Sequence, residues 1–300
     1  VTRTFVDRDR RTPADPSAGI LAAPRRMLPT TIYYPARGSL EAGSLTPDAP
    51  PARGAHPLVL FNPGSPGTPE DYEALLVEWA AHGYVVAALE FPISSVAGPD
   101  DAAWEDLPAQ TKDARFVLDR VLDLDPEKAG IPEIDDDHIA AAGHSFGGAT
   151  ALSLASECCR DDRIDAVLAL AAVTVTEAGP ALKQTGGPIL FVHARSDRAV
   201  SWGEAVALCR KTAAPKRFLT IEEIRGLRAH VIPFLGEGDE YSAIARPAMV
   251  DFLDGYVLDR KGARARLERA GAGTDIAGLT RCPADPEPTP TTTPTSAAPR

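Results

Sequence analysis

Ser145 lies in the run Gly143-His144-Ser145-Phe146-Gly147, a GxSxG spacing with a further glycine at 148. That spacing serves nucleophilic acyl transfer. A serine hydroxyl attacks a carbonyl carbon, provided that a base takes its proton and backbone amides hold the charge that forms on oxygen. Glycine is required at 143 and 147 because a side chain there would run into the neighbouring strand and helix. The turn itself forces the serine into a strained backbone conformation. The Phe146 amide, at the start of the helix that follows, is the first candidate oxyanion donor.

A serine nucleophile needs an imidazole, and the chain has six histidines: His56, His82, His138, His144, His193 and His230. His56 falls in the polar lead-in to a strand, and His82 ends a helix. His138 begins a strand at the edge away from Ser145, and His144 adjoins the serine but faces the wrong way. His193 ends the apolar run "PILFVH" and reads as a core or supporting histidine. His230, in the loop "GLRAHVIPF", remains as the base. The base needs a carboxylate to hold its tautomer and offset the imidazolium charge. Asp197, just past "PILFVH", falls at the carboxyl edge of a sheet, where α/β proteins place their sites. Asp162 and Asp165 begin the preceding strand, at the opposite edge. The chain order Ser145, Asp197, His230 is that of α/β-hydrolases and differs from the other familiar serine-triad folds. A second oxyanion amide is expected from the tight loop "NPGSPGTPEDY", with Ser65 as the donor.

These residues need a parallel sheet to hold them. Apolar runs at 30–36, 57–62, 84–91, 138–143, 164–173, 188–193 and 217–224 read as strands covered on both faces. Helical patterns lie between them at 69–81, 109–124, 147–158, 201–213 and 241–259. Alternation of this kind predicts an α/β fold, a mostly parallel central sheet with helices on both faces. Residues 1–282 are expected to form a single domain that includes the N-terminal strands and the loop up to residue 56. The stretch 283–300, "PADPEPTPTTTPTSAAPR", has no large apolar residues and reads as a disordered Pro/Thr-rich tail.

Composition excludes several partners. The 300 residues carry a net charge of −11 with basic residues scattered among acidic ones, which argues against nucleic acid. No apolar run approaches the ~20 residues of a membrane helix. The four cysteines, Cys158, Cys159, Cys209 and Cys282, match no zinc spacing, so no metal is expected. The adjacent pair Cys158-Cys159 is poorly placed to bridge itself. One or two disulfides, a start at Val1 and the Pro/Thr tail together give an expectation of a secreted protein.

From about Arg25 to Leu258 the chain resembles the α/β-hydrolases, in particular the secreted bacterial branch related to dienelactone hydrolases, cutinase-like polyester hydrolases and platelet-activating-factor acetylhydrolases. The stretches that carry the resemblance are "TIYYPA", "FNPGSPGTPEDYEALLVEWAAHGYVVAALEF", "DARFVLDRVL", "AAAGHSFGGATAL", "HARSDRAV" and "FLDGYVL". It implies Ser145 as nucleophile, Asp197 as acid, His230 as base, and the Ser65 and Phe146 amides as oxyanion donors. The acetylhydrolases share "GHSFGG" but carry their acid after the preceding strand, where this chain has "LALAAVTV". The acid position resembles that of the polyester hydrolases. Those enzymes place an aromatic residue at the Ser65 position, methionine at Phe146 and tryptophan near Val173, and this chain has none of the three.

The expectation is therefore a cofactor-free serine esterase, acting as a monomer on small-molecule or lipid-like acyl esters through an acyl-enzyme. Phe91, Ile93, Trp104, Val173 and Trp202 are candidate pocket residues. A polyester hydrolase is the alternative within the class. Amide or thioester hydrolysis would use the same machinery, and a non-catalytic binding protein on the same fold is the alternative outside it.

Overall fold

The computed structural model describes residues 1–38, 45–96, 101–173, 186–213, 215–222, 224, 227–235 and 238–283. The predicted tail from residue 284, and residues 39–44 of the loop before residue 56, lie outside them. The strands are β1 (Thr2–Asp7), β2 (Arg26–Tyr33), β3 (Ala55–Asn62), β4 (Val85–Leu89), β5 (Glu133–His144), β6 (Ile164–Leu170), β7 (Ile189–Ala194), β8 (Lys216–Ile221) and β9 (Ala277–Thr280). The helices are α1 (Glu73–Ala81), α2 (Asp101–Leu122), α3 (Pro126–Ala129), α4 (Phe146–Leu154), α5 (Trp202–Lys211), α6 (Ile232–Leu235), α7 (Ser242–Tyr256) and α8 (Ala263–Leu267). Two 3₁₀ turns, Pro69–Tyr72 and Leu227–His230, matter to the site.

The strands form one sheet in the order β1-β2-β4-β3-β5-β6-β7-β8-β9. From β4 through β8 every pairing is parallel, and the antiparallel pairings lie at the two ends of the sheet. The parallel strands have two buried faces. Val59, Phe61, Ala140 and Ala142 point into a core with α1, α7 and α8, while Leu58, Leu60, Ile139 and Ala141 point into a second core with α2, α4 and α5. This period-two division between two apolar layers is why these strands read as nearly continuous apolar runs.

All seven predicted strands and five predicted helical segments are present, with shifted ends. The edge strands β1 and β9 and the short helices α3, α6 and α8 carry little apolar periodicity and did not stand out in sequence. A buried ionic group ties β2 to α2. Arg26 Nε donates to Asp113 Oδ2 at 2.7 Å, and its Nη2 donates to Asp106 Oδ2 at 2.7 Å. Arg10 Nη1 reaches Asp113 Oδ1 at 2.7 Å.

Cys209 and Cys282 are bridged, with Cα atoms 6.1 Å apart, joining α5 to the chain after β9. Cys158 and Cys159 are bridged as well, with Cα atoms 3.7 Å apart. This corrects the expectation that the adjacent pair is unsuited to bridging: both cysteines fall in a turn beyond α4, outside any helix or strand. Among the described residues no helix is long and apolar enough to cross a membrane.

Candidate active site

β5 delivers Ser145 to the carboxyl edge of the sheet, and α4 starts at the next residue. Ser145 has φ 54° and ψ −118°, a combination that a non-glycine residue adopts only when its surroundings enforce it. They do so here. The Ser145 amide donates to the Leu170 carbonyl at 2.9 Å, and the Ser145 carbonyl accepts from the amides of Ala149 at 3.2 Å and Val173 at 3.1 Å. A Cβ on Gly143 would overlap the Gly147 carbonyl, and one on Gly147 would overlap the Asn62 carbonyl at the end of β3. The glycines let β3, β5 and α4 close around the serine. Phe146, as the first residue of α4, has an amide with no partner in its own helix.

Asp197 occupies the turn after β7. Its Oδ1 accepts from the amides of Ala199 at 2.8 Å and Val200 at 3.0 Å, and its Oδ2 accepts from His230 Nδ1 at 2.7 Å. Burial acts to raise the Asp197 pKa. The hydrogen bond and charge of His230, the Val200 amide and nearby His193 outweigh it and hold the carboxyl below its ordinary value. His193 Nε2 donates to the Val200 carbonyl at 3.0 Å and stands 3.5 Å from Asp197 Oδ2, bracing the turn. His230 closes the 3₁₀ turn after β8. Because its Nδ1 is taken by Asp197, Nε2 is the nitrogen left for substrate chemistry.

Ser65 lies in the loop after β3, next to Gly64. A Cβ on Gly64 would approach Ser145 Cβ to 3.2 Å, so this loop runs directly against the nucleophile. The structure thus brings Ser145, Phe146, Asp197, His230 and the Ser65 loop to the carboxyl ends of β3, β5, β7 and β8.

The five predicted pocket residues separate. Trp104, 41 % exposed, lies with its ring 4.6 Å from that of Phe146. Val173 clusters with Leu107, Phe146, Ala149 and Val200 around the elbow. Phe91 and Trp202 are core residues of the layer that holds α2, α4 and α5, with Trp202 edge-on to Phe218 at 6.4 Å. Ile93 is buried too, at 1 % exposure. These three side chains are nearly inaccessible, unlike that of Trp104. Among the described residues, a cavity of about 490 Å³ lies between β2 and α1 and one of about 300 Å³ between the 69–72 turn, α1 and α6, and neither is lined by Ser145, Asp197 or His230.

One residue, Tyr72, escaped the sequence reading, and His144 was set aside there as a base without its supporting contacts. Tyr72 Oη lies 2.7 Å from His144 Nδ1, and His144 Nε2 lies 2.9 Å from the His230 carbonyl. No local signal marks the contact itself, which joins side chains 72 positions apart. Asp135, Asp136 and Asp137 are the one acidic or histidine group among the described residues compact enough to hold a cation, and they sit at the start of β5, the end away from Ser145.

Against known proteins, the chlorophyllase family model matches residues 37–198, more than half of the chain. The chain belongs to the chlorophyllase family. The match of this chlorophyllase-family chain to the family model contains Ser145 and Asp197 and ends before His230. The platelet-activating factor acetylhydrolase of Canis lupus familiaris is 26 % identical over 212 residues, covering 57 % of this chain and 46 % of that protein. The acetylhydrolase of Bos taurus is 27 % identical over 232 residues, covering 61 % and 50 %. The chain thus spans about half the length of the curated relatives it matches. A ferulic acid esterase from Streptomyces cinnamoneus superposes with a TM-score of 0.61 at 24 % identity, covering 86 % of this chain and 89 % of that one. This likeness is one of fold, and with the sheet order it shows that the family member has an α/β-hydrolase fold.

Proposed function

We propose that this protein is a carboxylic ester hydrolase that works through Ser145, His230 and Asp197. The observation that carries the reading is the 2.7 Å bond between His230 Nδ1 and the buried Asp197 carboxylate, at the sheet edge where Ser145 is held in its strained turn. His230 Nε2 takes the Ser145 proton as Oγ bonds to the ester carbonyl carbon. The amides of Phe146 and Ser65 hold the oxygen that gains charge. The C–O bond to the alcohol then breaks, and His230 returns the proton to the leaving alkoxide. Water repeats the steps on the acyl-enzyme and frees Ser145. Asp197, kept ionised by its partners, stabilises the imidazolium in both halves.

The names of the relatives, an acetylhydrolase and an esterase, support ester hydrolysis as the class of reaction. The apolar group Leu107, Phe146, Ala149, Val173 and Val200, with the exposed Trp104 ring beside it, favours an acyl or lipid-like chain laid against the elbow. The two disulfides support an exported protein, since such bonds persist in oxidising compartments. A panel of p-nitrophenyl esters from acetyl to long-chain acyl, with a polyester film alongside, tests the reading. Turnover of the soluble esters with little clearing of the film is expected. Film clearing at a comparable rate would replace the substrate class, and no turnover of any ester would leave a binding protein on a hydrolase fold.

A further inference from the structure

Three segments that the proposed chemistry needs in register meet at one buried pair of side chains. The Gly64 amide, one residue before Ser65, donates to Tyr72 Oη at 3.1 Å. Tyr72 Oη donates in turn to His144 Nδ1 at 2.7 Å. His144 Nε2 donates to the backbone carbonyl of His230 at 2.9 Å. The direction of each bond is fixed by the groups present. A carbonyl can only accept, so the His144 proton resides on Nε2. Nδ1 is then an acceptor, and the phenol must supply the hydrogen. The phenol oxygen keeps a lone pair for the Gly64 amide, so the phenol and both nitrogens of the His144 ring all have partners.

We propose that Tyr72 and His144 are positioning residues that lock the oxyanion loop and the His230 turn to the nucleophile elbow. The inference rests on the ester-hydrolase reading above. Both side chains are buried, Tyr72 at 3 % and His144 at 3 % exposure, and the His144 ring is packed between Tyr72 at 5.7 Å, His230 at 4.5 Å and Phe234 at 5.2 Å. Burial holds His144 neutral by pushing its pKa down to about 3, which preserves the one tautomer that fits both neighbours. Gly64 is pinned from the other side: a Cβ there would meet His144 Nδ1 at 3.0 Å and Tyr72 Oη at 3.1 Å. His144 is one residue from Ser145, so the pair measures the position of the Ser65 amide and of His230 against the nucleophile itself. Neither residue touches the reacting atoms. A misplacement of about 1 Å in such a site lowers the rate on the order of 10²-fold, and two of the three reacting groups move together if this link is cut.

The two halves of the link can be severed separately. Tyr72→Phe removes the phenol that binds Gly64. His144→Gln keeps a donor toward the His230 carbonyl and loses the acceptor for Tyr72, whereas His144→Asn keeps the acceptor and loses the reach to His230. Burst titration with a p-nitrophenyl acyl ester counts functional serines, and the steady-state rate is then expressed per titrated site. A purely structural defect lowers the count of sites. A positioning defect leaves the count and lowers kcat per site. Tyr72→Phe and His144→Gln are each expected to lower kcat per site roughly 10- to 100-fold with KM changed less than about threefold. The double variant should be little slower than either alone. Parental kcat per site in both single variants, given a parent that shows a burst, overturns this inference alone. A parent with neither burst nor turnover overturns the ester-hydrolase reading and this inference with it. Should Tyr72→Phe fail to fold, His144→Gln and His144→Asn decide the matter, and parental rates per site in both overturn the inference.

Discussion

His230 Nδ1 donates to Asp197 Oδ2 at 2.7 Å, and Asp197 Oδ1 accepts two backbone amides from the turn that follows it. The carboxylate is therefore held in place before it holds the imidazole. Asp197→Asn would preserve the shape of the turn but present an amide group to Nδ1, favouring the tautomer with its proton on Nε2. A loss in kcat on the order of 10⁴-fold is expected with the fold intact, read from steady-state rates beside a circular dichroism melt. A loss below about tenfold would mean that Asp197 does not set the His230 tautomer.

The stability of the protein should depend on pH through His144. Its folded pKa, about 3, lies below the ordinary 6.5, so between these values the unfolded chain binds a proton that the folded one does not. The contribution is fully present above 6.5 and is lost as pH falls toward 3. The expected slope from this group is about 1.4 kcal/mol per pH unit. Urea titrations of the parent and of His144→Gln at pH 7, 6, 5 and 4 should show the shallower slope in the variant. Parallel curves would contradict the assignment.

The nucleophile turn was legible because its glycines are a local pattern, and Asp197 and His230 followed from the order of elements along the chain. The parallel strands were legible because both faces are apolar. What escaped depends on distance. β1 is made of exposed and half-buried residues up to Asp7 at a sheet edge, and the four-residue β9 contains a glycine, so neither carries the long apolar run of a central strand. Tyr72 meets His144 only after β3, β5 and the 3₁₀ turn at 69–72 have packed. Phe91 and Trp202 are buried while Trp104 is exposed, a difference hidden in sequence, where a large apolar side chain near a loop looks the same whether it faces the core or the solvent.

Gly147 is the contact point between α4 and the end of β3. Gly147→Ala would push its Cβ into the Asn62 carbonyl, which is backbone and has no rotamer to relieve the overlap. A destabilisation of about 3 kcal/mol or more is expected from chemical denaturation, together with loss of activity. A folded, active Gly147→Ala variant would show that α4 can move away from β3.

The ionic group of Arg26, Asp113, Asp106 and Arg10 anchors β2 to α2 out of water. Removing Asp113 leaves the buried Arg26 guanidinium with Asp106 as its one carboxylate and its Nε without an acceptor, so Asp113→Ala is expected to cost about 3 kcal/mol in chemical denaturation. An effect below about 1 kcal/mol would indicate that water reaches Arg26.

The central claim is that Ser145 carries the acyl group. The parent enzyme, mixed with a p-nitrophenyl acyl ester and quenched in acid within the burst, should gain the mass of one acyl group. Fragmentation should locate it on Ser145. Ser145→Ala should remain unlabelled and lose kcat on the order of 10⁶-fold. Acyl transfer to another residue, or parental turnover by Ser145→Ala, would contradict the account.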